Sequence, residues 1–348
     1  MDKATEENQK KQSLTEDTKD TEKGHVKLSE GSGGREMHSL IGQFTTMFED
    51  PRYWKECAND AAVFDLGDGR VLCFTTDSFT VSPLFFQGGN IGDLAMCGTI
   101  NDICVMGSLP IGISLSVIIE EGFAKRDLEK IMQRIADISK KTGVPIVTGD
   151  TKVVNKGNVD GIIINTSAIG ICARQELLTR PIEEGDKVII SGSIGDHAVA
   201  LLSERFDYRT ELATDSQPLI DEIKAVKDKI CIAKDPTRGG IAASLNEICQ
   251  MNCCGMKIEE QKIPLKEEVI RVTEILGLNA YELACEGRFI CIAKEEDAGE
   301  VEMILKRFNP DACIIGTVVK NESSVILKTK IGERILPMPS GNLVPRIC

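Results

Sequence analysis

The sequence predicts a mixed α/β protein built from two domains. Apolar runs typical of strands alternate with stretches of helical spacing through both halves of the chain. The chain has 348 residues, and at about 100 to 200 residues per domain this length favours two domains over one or four. Residues 174–185 are polar, contain Pro181 and show no strong period. We therefore predict a first domain over residues 27–173 and a second over residues 174–334.

Periodicity and end signals predict the elements of the first half. Apolar residues recur at helical spacing over residues 37–44, and residues 71–76 indicate a buried strand closed by Asp77. Asn90 is typical of a helix cap, and Gly107 marks the end of that helix, which contains Asp102. Further strands are predicted over residues 115–119, 144–148 and 161–170, and a further helix over residues 128–138 that stops at Gly143.

The second half continues the alternation. A strand over residues 187–191 leads into a turn and then into a helix that starts near Ala198. Another helix follows the glycines at the end of residues 235–240, and free N–H groups at such a helix start suit an anion. A strand is predicted over residues 288–293. Residues 335–348 are rich in Pro and Gly, so we expect a flexible tail there.

Composition and charge exclude several classes of protein. Hydrophobic residues make up 42% and charged residues 27%, so collagen-like and fully disordered chains are excluded. The net charge of -13 opposes broad binding to nucleic acid or anionic lipid, and we expect neither as a partner. No apolar run approaches the ~20 residues that span a bilayer, and the N-terminus lacks the apolar core of a signal peptide. We expect a cytoplasmic protein with a disordered N-terminal extension over residues 1–26.

The thirteen cysteines predict reduced thiols rather than a disulfide framework, because their number is odd and no export signal is present. No Cys-x-x-Cys pair occurs. Cys249, Cys253 and Cys254 form the tightest cluster, and with only three histidines in the chain a zinc site there is a minor alternative. We interpret this cluster as a helix end and core residues.

A set of acidic residues indicates which chemistry the protein could perform. Each is predicted at a strand end, turn or helix beside small residues: Asp60, Asp77, Asp102, Asp150 and Asp235. Carboxylates and phosphate oxygens are the ligands that magnesium prefers, and nearby glycines let the backbone approach phosphates. Any single Asp is more often a cap or a turn residue. Neither a Walker motif nor a dinucleotide fingerprint occurs, so the set favours a different ATP-binding fold.

Two further segments each allow a plain and a functional interpretation. The glycine-rich stretch over residues 31–35 is either a linker or a cover for phosphates. The chain ends Pro345-Arg346-Ile347-Cys348, which is either a frayed tail or an arm that carries a nucleophilic thiol. A prenylation box is excluded, because it needs its cysteine four residues from the end.

These motifs together resemble the HypE family of hydrogenase maturation proteins, within the PurM-like ATP-binding superfamily typified by aminoimidazole ribonucleotide (AIR) synthetase. The similarity runs from about Leu28 to Cys348. It is carried by Gly31-Ser32-Gly33-Gly34-Arg35, Asn59-Asp60-Ala61-Ala62-Val63, Thr75-Thr76-Asp77-Ser78, Ser82-Pro83-Leu84-Phe85-Phe86, Gly98-Thr99-Ile100-Asn101-Asp102, Gly149-Asp150-Thr151-Lys152-Val153-Val154, Asp235-Pro236-Thr237-Arg238-Gly239-Gly240, Glu286-Gly287 and the terminal tetrapeptide. The Asp motifs alone suit any PurM-like relative, and the terminal Pro-Arg-Ile-Cys singles out HypE.

The resemblance implies an ATP-dependent carbamoyl dehydratase that makes the cyanide ligand of nickel–iron hydrogenase. The thiol of Cys348 would receive a carbamoyl group from the carbamoyltransferase HypF. ATP would then phosphorylate the carboxamide oxygen, and loss of protons and phosphate would leave a thiocyanate. The cyanide would pass to iron on a HypC–HypD scaffold. The resemblance also implies a two-domain PurM-like fold and a homodimer that pairs strands of the N-terminal domains.

The resemblance assigns roles to particular residues. Cys348 would be the carrier, Glu286 the base and Lys152 a neutralising charge; without the resemblance, Lys152 and Glu286 are more simply surface ion pairs or solvated charges. ATP and magnesium would be held by Asp60, Asp77, Asp102, Asp150 and Asp235, with Gly33, Gly34, Arg35, Lys152, Thr237, Arg238 and Gly239 around the phosphates.

Three positions depart from the family pattern. Glu30 stands where a His is usual, Cys285 where Asn is expected, and Arg288 where Lys is common. Two other functions stay open from the residues alone: a small-molecule kinase of the same fold, and a non-catalytic scaffold whose terminal Cys docks a partner. The scaffold would have no need of five phosphate or metal ligands.

Overall fold

The structure is a computed structural model and describes residues 24–48, 52–320, 322–341, 344, 346 and 347. Most of the predicted N-terminal extension and Cys348 lie outside the described residues. The helices are α1 Arg35–Thr45, α2 Ile91–Val105, α3 Lys125–Thr142, α4 Asp196–Phe206, α5 Ile220–Val226, α6 Gly240–Asn252, α7 Glu267–Leu276 and α8 Glu295–Leu305. The strands are β1 Trp54–Lys55, β2 Ala62–Asp65, β3 Arg70–Phe79, β4 Phe85–Phe86, β5 Gly89–Asn90, β6 Pro110–Glu120, β7 Ile146–Val154, β8 Ile162–Ala173, β9 Lys187–Ile190, β10 Ile230–Lys234, β11 Gly255–Glu259, β12 Ile290–Ala293, β13 Cys313–Val319, β14 Val325–Thr329 and β15 Gly332–Ile335.

The first sheet has the order β1-β2-β3-β8-β6-β7 and is antiparallel except for the parallel pair β6–β7. Side chains of β8 alternate between buried and partly exposed, as expected for a sheet with one face on the core. Helix α2 packs on that face against β3 and β8 and is buried at nearly every residue. A helix that is apolar on all sides has to be enclosed by other elements.

The second sheet has the order β10-β12-β9-β13-β11-β14-β15, with β11–β14 as its parallel pair. Strands β10 and β12 are buried along their whole length. Helix α2 of the first half also contacts β10 and α5 of the second half. This contact brings the C-terminal half of α2, with Asp102, to the edge of the second sheet.

The predicted mixed α/β class and most elements are confirmed. The Asn90 side chain accepts the N–H of Gly92 at 2.8 Å, and the Asp93 carboxylate accepts the N–H of Asn90 at 2.9 Å, which completes the cap of α2. Gly143 ends α3 in a left-handed conformation with φ 72°, as the sequence predicts.

Two predicted strand ends are wrong. Asp77 does not close β3 but lies within it and pairs with Thr166 of β8. Asp150 does not follow β7 but lies within it and pairs with Ser116 of β6. Pairing to a long neighbouring strand extends both strands past the polar residues that end an isolated strand pattern.

The described cysteines are all free. Cys249 and Cys254 are buried, and exposed Cys253 ends α6 in a left-handed conformation, so this cluster is a helix end with core residues, as predicted. Within the described part of the chain, no three His, Cys, Asp or Glu side chains form a ready metal cluster. No helix among the same residues is long and apolar enough to cross a membrane.

The described part of the predicted tail is packed against the protein. Leu336 is fully buried, and Ile347 retains 5% exposure within the main hydrophobic cluster. The chain therefore returns to the body of the protein just before Cys348.

Candidate active site

Five carboxylates from both halves of the chain form a cluster in which Asp235 and Glu286 are buried and the other three are half-buried. Each comes from a different element: Asp60 from the loop before β2, Asp77 from β3, Asp102 from α2, Asp235 from the end of β10 and Glu286 from the loop before β12. The negative charges of Asp77, Asp235 and Asp60 all raise the pKa of Asp102, so the groups are close to one another. The structure thus brings together four of the five predicted Asp residues and the predicted base.

Burial is the main cause of the unusual acidities in the cluster. It raises the pKa of Asp235 well above the usual range, the Asp60 charge raises it further, and the Lys234 ammonium opposes both. Burial likewise raises the pKa of Asp102, against a 2.7 Å hydrogen bond that its carboxylate accepts from Thr75. Several carboxylates crowded away from water hold protons more tightly, because each added charge is repelled by the others.

Among the residues that the structure describes, three carboxylate oxygens in the cluster are buried without a hydrogen-bond partner: Asp60 Oδ2, Asp235 Oδ2 and Glu286 Oε1. An unpaired buried oxygen costs about 1–3 kcal/mol. Such oxygens suit a cation, and Mg²⁺ is bound through one or two carboxylates with phosphate oxygens and water as its other ligands. The residues therefore fit a magnesium–nucleotide complex better than a metal held by protein alone.

A buried cation next to the cluster was missed by the sequence analysis. Lys234, at the end of β10, forms an ion pair with Asp60 and lies 3.1 Å from Glu247 of α6. Glu247 in turn pairs with His38 of α1 at 3.1 Å. Burial alone would raise the pKa of Glu247, but the His38 hydrogen bond and the Lys234 charge lower it to about 2. A lysine that ends an otherwise apolar strand was the available signal.

The two segments that are predicted to contact phosphates, residues 31–35 and 235–240, lie side by side. A Cβ atom at Gly33 would lie 2.8 Å from the carbonyl carbon of Arg238, and Gly33 has φ 83°. At Gly34 a Cβ would lie 2.4 Å from the Pro339 carbonyl oxygen, and the N–H of Arg35 donates to that oxygen at 2.9 Å. Only glycine fits this close packing. Half-buried Thr237, exposed Arg238 and buried Gly239 stand before the start of α6.

Asp150 and Lys152 do not join the cluster within one chain. Both side chains are exposed on the edge strand β7 and lie 4.0 Å apart. Asp77 is in register with Gly149 through β8 and β6, so Asp150 points to the opposite face of the sheet. Within one copy of the chain, Asp150 therefore lies apart from the other four Asp residues that are predicted to hold magnesium and phosphates.

Glu286 is buried rather than open to solvent, which corrects the interpretation of a solvated charge. Its N–H donates to Asp215 Oδ1 at 3.0 Å, and its carbonyl accepts the Asn101 side chain at 3.2 Å. Burial, followed by the charge of Asp215, raises its pKa well above the usual range. Buried Arg288 lies 3.8 Å from Asp215 and places a positive charge near the base.

We predict that Asp235→Asn stabilises the ligand-free protein at neutral pH. A carboxyl group whose pKa is raised in the folded state costs no stability below its unfolded pKa, and the cost appears as the pH rises through the folded value. With EDTA present at pH 8, the unfolding temperature should rise by roughly 2 to 8 °C, and the gain should shrink toward pH 4. Differential scanning calorimetry measures this, with exposed Asp137→Asn as control. An equal loss of stability at both pH values would contradict the prediction.

Comparison with known proteins agrees with this fold. The family profile described as "AIR synthase related protein, N-terminal domain" matches residues 58–172, and "AIR synthase related protein, C-terminal domain" matches residues 183–328. The fold and the carboxylate cluster thus define an AIR synthase-related protein, which confirms the predicted PurM-like fold.

Individual relatives identify the family to which the chain belongs within this class. The carbamoyl dehydratase HypE of Rhizobium leguminosarum bv. viciae is 42% identical over 341 residues, which cover 94% of this chain and 97% of the relative. The HypE structure in a HypE–HypF complex is 40% identical, has a TM-score of 0.78 and covers 86% of this chain and 99% of that one. A HypE structure with ATP is 36% identical, has a TM-score of 0.77 and covers 93% of this chain and 100% of that one. The chain belongs to the HypE family of hydrogenase maturation proteins, as its motifs predict.

Proposed function

We propose that this chain is a carbamoyl dehydratase that converts an S-carboxamide on Cys348 into a thiocyanate with ATP, for the cyanide of nickel–iron hydrogenase. The observation that carries the proposal is the carboxylate cluster, with oxygens on Asp60, Asp235 and Glu286 that have no partner among the described residues. These oxygens favour an enzyme that binds a charged phosphate complex over a scaffold. The relatives at 36–42% identity are named for this enzyme or solved with ATP.

The reaction needs a leaving group and a base. The carboxamide oxygen attacks the γ-phosphorus of ATP, and ADP leaves. Removal of the two amide protons forms the second and third C–N bonds as the C–O bond breaks and phosphate departs. Glu286 accepts a proton in this sequence, because burial and the charge of Asp215 raise the pKa of its carboxylate and so make it a stronger base than an exposed carboxylate. The net change is loss of one water from the carboxamide.

Asp60, Asp77, Asp102 and Asp235 are the residues that would hold magnesium with the nucleotide phosphates. The ion supplies charge neutralisation for phosphoryl transfer. The start of α6, with Thr237, Arg238 and Gly239, and the segment of Gly33, Gly34 and Arg35 packed against it, would enclose the phosphates.

We extend the proposal to partners and location. A relative has been crystallised with HypF, which supports HypF as the carbamoyl donor of this chain. A HypC–HypD iron scaffold would receive the cyanide. A carrier thiol has to stay reduced, which favours the cytoplasm.

We also propose a homodimer formed through the first sheet. Strand β7 is exposed at nearly every residue, and no strand of the described residues pairs with its outer edge, which natural proteins normally cover. On the open face, Phe74 and Ile169 are cross-strand partners and keep 38% and 36% exposure. Asp150 and Lys152 lie on this same face, so a dimer would enclose both residues and give them a partner surface.

The dimer predicts a mass of twice 38.0 kDa in sedimentation equilibrium. A charge on the open face should separate the copies, so Phe74→Glu is expected at one chain mass. Phe308→Glu, at a 45% exposed site in the second half, is the matched control and should stay dimeric. A wild-type protein at one chain mass would exclude this interface.

The test of the proposed function is intact mass of the wild-type protein after incubation with HypF, carbamoyl phosphate and magnesium ATP. We expect one carbamoyl adduct on the C-terminal peptide, followed by loss of one water. ATP turnover with no adduct would indicate a small-molecule kinase of the same fold. Neither adduct nor turnover would indicate a non-catalytic scaffold.

A further inference from the structure

The end of the chain is held by its main-chain carbonyls. The Arg346 carbonyl accepts the N–H of Ser82 at 3.1 Å and the Arg205 guanidinium at 3.1 Å. The next carbonyl, that of Ile347, is 2.8 Å from Nε2 of His197. Ile347 immediately precedes Cys348. The carbonyls of the two residues before the carrier residue therefore both accept hydrogen bonds from the body of the protein.

The partners of His197 define which nitrogen of its ring carries the proton. A carbonyl oxygen only accepts, so Nε2 carries a proton and donates it to Ile347. In the neutral ring Nδ1 then accepts from the Thr214 hydroxyl at 2.8 Å, and the Thr214 oxygen accepts the N–H of Ser216 at 3.1 Å. His197 is fully buried, and burial lowers its pKa, which favours the neutral ring. The Thr214 contact thus orients the Nε2 proton of His197 toward the Ile347 carbonyl.

Side chains of the tail are held as well. The Arg346 guanidinium donates to the Thr80 carbonyl at 2.8 Å and forms an ion pair with Asp160. The Ile347 side chain is 5% exposed within the main hydrophobic cluster. Thr80 and Asp160 belong to the first half of the chain and His197 to the second. The tail therefore docks between the two halves.

The docking site adjoins the proposed base. Burial lowers the pKa of His197 and the charge of Asp215 partly offsets this, so these two groups are neighbours. Asp215 Oδ1 also accepts the N–H of Glu286 at 3.0 Å. Asp215 thus lies between His197, which holds the Ile347 carbonyl, and Glu286, the proposed base.

We infer that His197, Arg205 and Ser82 form a tail latch, a docking site for the main chain of Arg346 and Ile347 that positions Cys348 for dehydration. The inference rests on the proposed function of Cys348 as carrier. His197 is a positioning residue, because it acts through the Ile347 carbonyl. Loading by a transferase requires the thiol to be reached from outside, so the latch has to open for loading and close for dehydration. Weakening it should therefore slow dehydration without slowing loading.

The first experiment measures the latch without any enzyme activity. The full-length protein is alkylated with iodoacetamide over a time course, digested, and the Cys348 peptide is quantified by mass spectrometry. His197→Phe keeps a ring but removes the donor, and Arg205→Met removes the second carbonyl contact. Loss of one such hydrogen bond corresponds to roughly 3- to 10-fold faster alkylation of Cys348. Exposed Cys57 and Cys253 are internal references whose rates should not change.

Two variants serve as controls. His197→Gln retains an N–H donor and should restore a rate near that of the wild type. Arg209→Met alters an exposed arginine four residues beyond Arg205 and should have no effect. If His197→Phe unfolds and exposes all cysteines together, the comparison of Arg205→Met with Arg209→Met decides. If Cys348 is alkylated at the wild-type rate both in Arg205→Met and in folded His197→Phe, the inference of a latch is wrong.

The second readout separates the latch from the proposed function. In single turnovers of carbamoylated protein with ATP, the latch variants should dehydrate roughly 3- to 10-fold more slowly, while loading by HypF is not slowed. Slower loading and slower dehydration together would mean general damage and would count against the latch. If alkylation changes as expected but wild-type protein never dehydrates, the latch stands and the proposed function fails.

Discussion

Replacing Cys348 with alanine is expected to abolish both carbamoylation and formation of the thiocyanate. The thiolate is the nucleophile that accepts the carbamoyl group, and alanine offers no atom to carry it. ATP binding should be unchanged, because the carboxylate cluster is built from Asp60, Asp77, Asp102, Asp235 and Glu286 and contains no tail residue. Intact mass after incubation with HypF, carbamoyl phosphate and magnesium ATP measures the first effect, and isothermal titration with ATP measures the second.

Cys253→Ala is the matched control for the loss of the adduct. Cys253 is an exposed free thiol at the end of α6, so it tests whether any accessible cysteine is loaded. This variant should give the wild-type adduct. A carbamoyl adduct that persists in Cys348→Ala would exclude the terminal residue as carrier, and a loss of ATP binding in the same variant would argue against a mobile carrier tail.

Local signals predicted the parts of this fold that depend on neighbours in sequence. The Asn90 capping box and the left-handed Gly143 both involve contacts within a few residues, so their residue types alone indicated where α2 begins and α3 ends. The order of strands within each sheet is different, because β3 pairs with β8 about 90 residues away. Nothing in the local sequence of either strand selects that partner.

The candidate site could be predicted only in part. Asp60, Asp77, Asp102 and Asp235 stood out because each was predicted at a strand end, turn or helix beside small residues, where carboxylates can meet magnesium and phosphates. Their clustering depends on the contact of α2 with β10, which joins the two halves. The prediction also placed Asp150 with them, since β7 was expected to end before it. In the structure β7 continues, and its side-chain alternation puts Asp150 on the open face.

The residues that contact or shift the pKa of the site groups were not indicated by the local sequence. Lys234, Asp215 and His197 each belong to ordinary stretches of sequence, and they matter because distant groups surround them. Lys234 pairs with Asp60 across 174 positions, and His197 contacts Ile347 across 150. Burial and neighbouring charges, which together shift the pKa of each group, are properties of the assembled domains. A single sequence therefore indicates which acidic groups are present but not which neighbours shift their pKa.

Glu286→Gln is expected to slow dehydration by roughly 10²- to 10⁴-fold, the usual contribution of a positioned general base. Glutamine has nearly the shape of glutamate but accepts no proton at the pH of the assay. The main-chain contacts of Glu286 with Asp215 and Asn101 do not involve its carboxylate, so they should survive the change. Carbamoylation of Cys348 should proceed at the wild-type rate, because the transferase supplies the chemistry of that step.

The pH dependence of the same variant makes the role of Glu286 distinguishable from a structural one. Burial and the charge of Asp215 raise the pKa of Glu286 well above its usual value, so the deprotonated fraction grows with pH up to that raised value. Single-turnover dehydration of the carbamoylated wild type should therefore quicken as the pH rises, and Glu286→Gln should lose this dependence. Exposed Glu268→Gln, on α7, is the control and should keep the wild-type profile. If Glu286→Gln retained the rise with pH at a lower overall rate, the base would have to be another group, and Asp215, which borders both Glu286 and the tail latch, would be the next to test.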